Sequence, residues 1–415
     1  MEKILRAVEK IIPKKLYRLG QPVYHFAINL LGAIIYGFPA KELYVIGVTG
    51  TKGKSTTTEI INSILEANGL KTVVSNTIRF KVGENSRPNK FKMSMPGRFF
   101  LQKLLRDAVT AGCTHAVLEI TSEGSKQFRN KFIPLNAFVF TNIAPEHIES
   151  HGSFKKYLQA KVNIAKNLKK NTETIGVINA DEAEHESFLA QPFTKKITYS
   201  LSDAKPIDLT NGIKMRFKKN TLHSHLDGEF NAYNILAAAT LCSAMGISDE
   251  TIRTGVEKLT EVPGRVQKIK SARGFEIVVD YAHTAESLEA LYKAFPTQKK
   301  ICILGNTGGG RDKWKRPVMA KIAEKYCDEI ILTNEDPYDE DPRQIVDEMA
   351  TAIIQKTPEI IMDRRVAINT AIKKASAGSV ILITGKGTDP YLMEANGKKT
   401  PWSDYEIAKE ELAKF

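Results

Sequence analysis

The sequence predicts an α/β protein of two domains with a short helical segment in front, and three observations predict it. Between Leu43 and about Glu261, short apolar runs alternate with helical patterns, as expected of strands buried on both faces by crossover helices. The first run, Leu43 to Val48, opens into a glycine-rich turn and then a helix. After Pro263-Gly264 the alternation starts again. The expected division is a helical segment over 1–42, a central P-loop domain with a parallel sheet over 43–262, and a C-terminal Rossmann-like α/β domain over 263–415.

The elements follow in order. Residues 1–42 lack strand-turn-helix punctuation and read as helix. Within them, Val23 to Pro39 is apolar, yet short for a bilayer span and interrupted by His25 and Asn29. A helix packed on the next domain is the expected outcome, with loose membrane association through residues 23–39 as the alternative. The helix after the glycine-rich turn carries Ile60, Ile61, Ile64 and Leu65, and Gly69 ends it. Val73-Val74, Ala116 to Leu118, Ala137 to Phe140 and Ile175 to Ile178 read as the remaining central strands. Beyond Pro263, strands are expected at Glu276 to Val279, Lys300 to Leu304, Glu329 to Leu332 and Val380 to Ile383, with helices such as Ala285 to Ala294 and Arg316 to Tyr326 between them.

Composition narrows the function classes. A chain of 415 residues with 26% charged residues is an ordinary globular protein of two or three domains. Its formal charge of +13 suits either a nucleic-acid or membrane-surface binder or an enzyme with anionic substrates. Lys and Arg are scattered, with few aromatics among them, which excludes a nucleic-acid module. Cys113, Cys242, Cys302 and Cys327 lie far apart in apolar segments without metal spacing and read as buried reduced thiols. The start Met1-Glu-Lys-Ile-Leu-Arg lacks the apolar core and cleavage site of a secretory signal, so a cytoplasmic location is expected.

The turn itself, Gly47-Val-Thr-Gly-Thr-Lys-Gly-Lys-Ser-Thr56, has the chemistry of a phosphate cradle. Gly47, Gly50 and Gly53 let backbone N–H groups surround phosphate oxygens, Lys54 reaches the terminal phosphates, and the Ser55 hydroxyl suits Mg²⁺. The strict pattern places glycine where this chain has Val48; the spacing here is G-x-x-G-x-x-G-K-S.

The wording Thr49-Gly-Thr-Lys-Gly-Lys-Ser-Thr-Thr57 resembles the Mur ligases, ATP-dependent enzymes that join an amino acid to a carboxylate in peptidoglycan synthesis. Leu118-Glu-Ile-Thr-Ser122 resembles the family's L-E-V-S-S element, and Thr141-Asn-Ile-Ala-Pro-Glu-His147 opens a segment similar to T-N-L-T-x-D-H. Gly228 to Ala238, Val262-Pro-Gly-Arg265, Val279-Asp-Tyr-Ala-His-Thr284, Gly308 to Lys313, Asp336-Pro337 and Gly385-Lys-Gly387 follow in family order. The resemblance runs from about Leu43 to the C-terminus and is closest to the tripeptide-synthetase branch. Residues 1–42 depart from it, because they leave no room for the usual N-terminal UDP-binding domain.

The resemblance implies an activity and a site. The expected reaction activates a carboxylate as an acyl phosphate, which an amine then attacks, with ATP and Mg²⁺ as cofactors and a UDP-muramyl dipeptide as acceptor. Gly50, Thr51, Lys52, Gly53, Lys54, Ser55 and Thr56 would cradle ATP, with Asn234 at the adenine and Arg265 and Asp280 supplied by the C-terminal domain. Ser55 and Glu119 would hold one Mg²⁺, Glu119 at a strand end in the manner of a Walker-B acid. His147 would serve a second. Lys161, fourteen residues after His147, stands where the family has a carbamylated lysine. A bare ammonium beside cations is repelled, whereas a carbamate is a carboxylate in effect. Lys54, His147 and Lys161 are the expected catalytic residues, His151 is a weaker candidate, and Glu123 stands where the family often has His.

Arg311, Glu335, Asp336, Tyr338, Gly385 and Asp389 overlie the amino-acid site. Tyr338 replaces the Arg of the common D-N-P-R form, which favours a diamine such as lysine over diaminopimelate. The alternatives are a cyanophycin, poly-γ-glutamate or folylpolyglutamate type of ligase, and a P-loop ATPase that is not a ligase.

Overall fold

In the computed structural model, which describes residues 14–97, 99–146, 148–310 and 313–415, the first sheet has eight strands. These are Tyr44–Thr49 (β1), Thr72–Ser75 (β2), Arg79–Val82 (β3), Asn85–Pro88 (β4), His115–Glu119 (β5), Ala137–Phe140 (β6), Ile175–Asn179 (β7) and Lys195–Tyr199 (β8). Their spatial order is β4-β3-β2-β5-β1-β6-β7-β8, parallel from β2 to β8 and closed at one edge by antiparallel β3 and β4. β1 is therefore central. Its register sets Val48 opposite Glu119 of β5 and Thr49 opposite Phe140 of β6, so three carboxyl ends finish side by side.

Burial explains the strand composition. Val45, Ile46 and Val48 are all buried, as a strand covered on both faces requires. Leu43, Val45, Phe138, Phe140 and Phe188 belong to one core cluster, in which the Phe140 and Phe188 rings stack 3.8 Å apart. An N-terminal helix, Lys14–Ile35, lies ahead of β1. Residues 1–13, part of the expected helical segment, lie outside the described residues.

The alternation expected up to Glu261 breaks twice, first at the consecutive strands β2, β3 and β4 and then after β8. Ile207–Asp208 (β9), Ile213–Phe217 (β10) and Asn220–Ser224 (β11) form a separate antiparallel sheet. Ile213, Met215 and Phe217 are buried while Lys214 and Arg216 are exposed, a period-2 pattern that differs from the continuous apolar runs of the parallel strands. Helix Glu229–Ala244 follows.

Beyond it, Gln267–Lys270 (β12), Glu276–Val279 (β13), Lys299–Leu304 (β14), Glu329–Leu332 (β15), Glu359–Ile360 (β16) and Ser379–Ile383 (β17) build a six-stranded sheet in the order β12-β13-β17-β14-β15-β16. It is parallel except for β12. Alternate residues face opposite cores, with Ile277, Val279, Ile301 and Ile303 in one, and Val278, Cys302 and Leu304 in the other. The chain forms two compact units: one holds the described residues up to Glu146 with His151–Asp203 and Asn234–Gly255, the other Ala204–Tyr233 and Val256–Phe415 with the short piece before His151.

One expectation about cysteine is corrected. Cys113 and Cys242 are buried free thiols, but Cys302 on β14 and Cys327 just before β15 form a disulfide, their Cα atoms 6.0 Å apart. Parallel neighbours bring the two together although 25 residues separate them, a proximity that linear spacing does not reveal.

Candidate active site

The glycine-rich turn joins β1 to the helix Lys54–Ala67. Gly53 caps that helix at φ +79°, and a Cβ there would come within 2.2 Å of Asn234 Oδ1. Gly50 is equally constrained, since its Cβ would lie 1.9 Å from Thr141 Oγ1. Only glycine allows both approaches. The end of β6 clasps the turn from the other side: Thr51 N–H donates to Asn142 O at 2.9 Å, Lys52 N–H to Asn142 Oδ1 at 2.8 Å, and Thr141 Oγ1 to Lys52 O at 2.7 Å. Lys52 Nζ donates to Glu146 Oε1 at 3.1 Å. Lys54 Nζ folds back onto the carbonyls of Gly50 (3.0 Å) and Thr51 (2.8 Å).

Glu119, at the end of β5, receives four donors. Ser55 Oγ (2.7 Å) and Thr77 N–H (3.0 Å) reach Oε2; Thr77 Oγ1 (3.0 Å) and Ser94 Oγ (2.8 Å) reach Oε1. Burial alone would raise its pKa, but the Lys54 charge and these hydrogen bonds outweigh it and hold the carboxyl below the ordinary glutamate range. An ionised carboxylate among hydroxyls is an oxygen donor set suited to a hard cation.

Lys161 enters from the helix Phe154–Ala165, capped by Ser153. Its side chain is buried, and Nζ donates to Gly50 O at 2.7 Å and sits 4.8 Å from the Tyr157 ring centre. Desolvation, then repulsion by Lys54, carry its pKa far below the ordinary lysine value. Tyr157 OH meets Thr51 Oγ1 at 3.0 Å. His151 is buried against the Tyr157 ring, with Nε2 2.9 Å from Glu123 Oε1, an ion-pair distance without the angle of a hydrogen bond.

The second unit carries its own cluster at the carboxyl ends of β14, β15 and β17. Glu335 is buried, accepts Thr307 Oγ1 at 2.8 Å on Oε1 and leaves Oε2 without a hydrogen bond. Burial, with Asp336 nearby, raises its pKa. Gly385, at φ +100°, lets Oε2 come close, since a Cβ there would lie 2.2 Å from it. Asp336 Oδ1 accepts Lys386 Nζ at 2.7 Å and Met393 N–H at 2.9 Å; Asp389 lies 3.6 Å from Lys386. Tyr338 adopts φ +52°, and the Gly309 backbone fits against its ring. Arg364 donates to both oxygens of Asp404 (2.8 and 2.7 Å) and to Thr384 O at 2.7 Å. Arg265 packs over the Tyr281 ring at 4.6 Å, and both Asp280 oxygens accept backbone N–H groups, from Val266 (2.8 Å) and Ala282 (2.7 Å).

Two family models match this chain, the Mur ligase middle domain over residues 48–242 and the Mur ligase glutamate ligase domain over 264–387. The UDP-N-acetylmuramoyl-L-alanyl-D-glutamate--2,6-diaminopimelate ligase of Bacillus cereus is 34% identical over 404 residues, covering 93% of this chain and 81% of that protein. The chain belongs to the Mur ligase family. The UDP-N-acetylmuramyl-tripeptide synthetase of Roseiflexus is 33% identical, over 96% of this Mur ligase and 84% of the relative. Among solved structures, a UDP-N-acetylmuramoyl-L-alanyl-D-glutamate--2,6-diaminopimelate ligase matches at 29% identity and TM-score 0.61, covering 90% of this chain and 78% of that one. A Mycobacterium tuberculosis folylpolyglutamate synthase complexed with ADP and AMPPCP shares the fold at TM-score 0.73 and 16% identity, over 88% and 93% of the two chains.

This Mur ligase is thus an ATP-dependent ligase that joins an acid to an amino compound. The structure brings Gly50 to Thr56, Glu119, Lys161 and Asn234 into one site, where Asn234 Oδ1 accepts Thr57 Oγ1 at 3.2 Å. Glu335, Asp336, Tyr338, Gly385 and Asp389 gather in the other. His147 and Arg311 lie outside the described residues. Thr77, Ser94, Glu146, Tyr157 and Arg364 escaped sequence reasoning. For Glu146 a signal existed, an acid five residues after Thr141 on the segment that clasps a lysine-bearing turn; the others come together only through tertiary structure.

Proposed function

We propose that this Mur ligase works in the cytoplasm and adds a diamine such as lysine to the terminal carboxylate of a UDP-muramyl dipeptide, using ATP and Mg²⁺. Residues 43–262 form the nucleotide-binding domain and 263–415 the amino-acid domain. The observation that carries this reading is the meeting of Lys54, the Ser55–Glu119 pair and the desolvated Lys161 amine, which reaches in from its helix, at the carboxyl ends of β1 and β5.

Each residue then has a task. Backbone N–H groups of the turn and Lys54 take the ATP phosphates, while Ser55 and Glu119 would hold Mg²⁺, which would supply positive charge to offset that of the phosphates and the attacking carboxylate. The acceptor carboxylate attacks the γ-phosphorus, ADP leaves, and the acyl phosphate that results is opened by the amine with loss of phosphate. His147 would serve a second cation. A neutral Lys161 amine can take up CO₂ and release a proton, becoming a carbamate whose negative charge relieves the repulsion by Lys54.

The amino-acid preference rests on Glu335 and Tyr338. Asp336 is already engaged by Lys386, whereas Oε2 of Glu335 has no hydrogen bond and suits a ligand ammonium. With Tyr338 in place of an arginine, no guanidinium is offered at that position to a second carboxylate. Phosphate release with ATP, UDP-muramyl dipeptide and either lysine or diaminopimelate tests this directly. Faster acceptor-dependent release with lysine is expected. Preference for diaminopimelate overturns the amino-acid assignment, and release that ignores the acceptor overturns the reaction.

A further inference from the structure

The helix Lys14–Ile35 is fastened by one face only. Asn29 Nδ2 donates to Gln127 O at 3.1 Å, Phe26 meets the rings of Phe128 and Phe132 edge-on at 5.9 and 5.3 Å, and Gly32 lies so close to Phe99 that a Cβ would stand 2.8 Å from its ring. The opposite face carries Val23, Ala27, Leu31 and Ile34 at helical spacing, with Tyr24 and Ile35 beside them. These are open to solvent: Val23 is 71% exposed, Leu31 50%, Ile34 56% and Ile35 57%. A helix of an ordinary globular protein turns Lys and Glu outward, yet from Leu19 to Ala40 there is no charged residue at all.

We propose that this outer stripe docks on an anionic lipid bilayer, the helix lying in the plane of the headgroups. Charge selects the occupant. Residues 1–41 hold seven Lys and Arg against two Glu, with Lys14, Lys15 and Arg18 in the first turns of the helix and Lys41 just beyond its end. An apolar stripe flanked by basic residues complements anionic headgroups, and the two attractions add. A second copy of the chain is a poorer fit, because a two-fold contact through this stripe sets the same basic flanks against each other. Among the described residues no helix is long and apolar enough to cross a membrane, which leaves lying on the surface as the mode.

The test is co-sedimentation of the full chain with vesicles of phosphatidylcholine alone or mixed equally with phosphatidylglycerol. Binding to the mixed vesicles that salt weakens is expected, and Leu31→Glu with Ile34→Glu should reduce it about tenfold or more while ATP turnover in solution is unchanged. The proposal fails if the wild type stays in the supernatant, or if the double variant sediments equally well, since scattered surface charge then does the binding. It also fails if the wild type is a dimer that the double variant dissociates and vesicles are ignored, which makes a second copy the occupant. Tyr24→Trp gives a readout that does not rely on the double variant folding: its emission should shift to the blue with mixed vesicles, and an unchanged spectrum overturns the proposal.

Discussion

A lysine whose charge is unwelcome is the most telling residue of the molecule. Two amines, Lys54 and Lys161, point at the single carbonyl of Gly50, and burial with the nearby Lys54 charge carries the Lys161 pKa well below the ordinary lysine value. The two should therefore respond differently to removal. Lys54→Ala is expected to lower kcat by about 10²-fold or more with an unchanged thermal midpoint, because Lys54 meets phosphate rather than core. Normal turnover in a folded variant would remove the P-loop assignment. Lys161→Ala should lose a comparable factor, but added acetate or formate should restore about tenfold by returning a carboxylate to the vacated space. Loss without rescue removes the carbamate and leaves the ligase reading intact. At this scale Lys54, Ser55 and Glu119 were legible, because strand, glycines, Lys-Ser and an acid at a strand end are local patterns. Thr77 and Ser94 were not, since what makes them matter is the oxygen they share, and no spacing encodes it.

The elements were legible wherever burial is two-sided. β1, β5, β6, β14 and β17 read as apolar runs because both faces are covered, while β9 to β11 carry no such run, because one face is exposed and the pattern switches to period two. The edge strand β4 could not be read either: Asn85 to Pro88 are all exposed, so no apolar residue marks it. The turn after β1 gives a test of its own. Gly53→Ala must bear a left-handed backbone, costing about 1–2 kcal/mol, and must also displace Asn234. Gly69→Ala meets the same backbone strain at φ +75° with nothing within 4 Å of the added methyl. Both should lower the urea midpoint, Gly53→Ala by more because it must also move Asn234, whereas only Gly53→Ala should weaken ATP binding in calorimetry. Equal ATP affinity in the two variants would separate Asn234 from the nucleotide site.

On the scale of the whole molecule, the excess of positive charge was visible at once, but which carboxylates hold it in check was not. Glu340 accepts the Gly310 N–H and binds Arg316 and Lys313, which depresses its pKa to about 2, and Glu411, held by Lys414, Arg365 and Asn369, falls to about 2 as well. A depressed carboxylate stabilises the fold above the ordinary value of 4.5 and ceases to do so as pH falls towards 2. Stability measured by denaturant should decline across that window, and Glu340→Gln should flatten the decline; an unaltered slope would show that the group is solvated. The strand order has a kinetic consequence. The three strand ends that frame the phosphate cradle come from residues 44–49, 115–119 and 137–140, which meet only once the crossovers between them are formed. A nucleotide then has nothing to hold in the nascent or partly collapsed chain. ATP is expected to slow unfolding while leaving the refolding rate untouched, and stopped-flow measurements with and without nucleotide decide it. The ligase would have to complete its fold unaided, and its substrate would act afterwards as a latch.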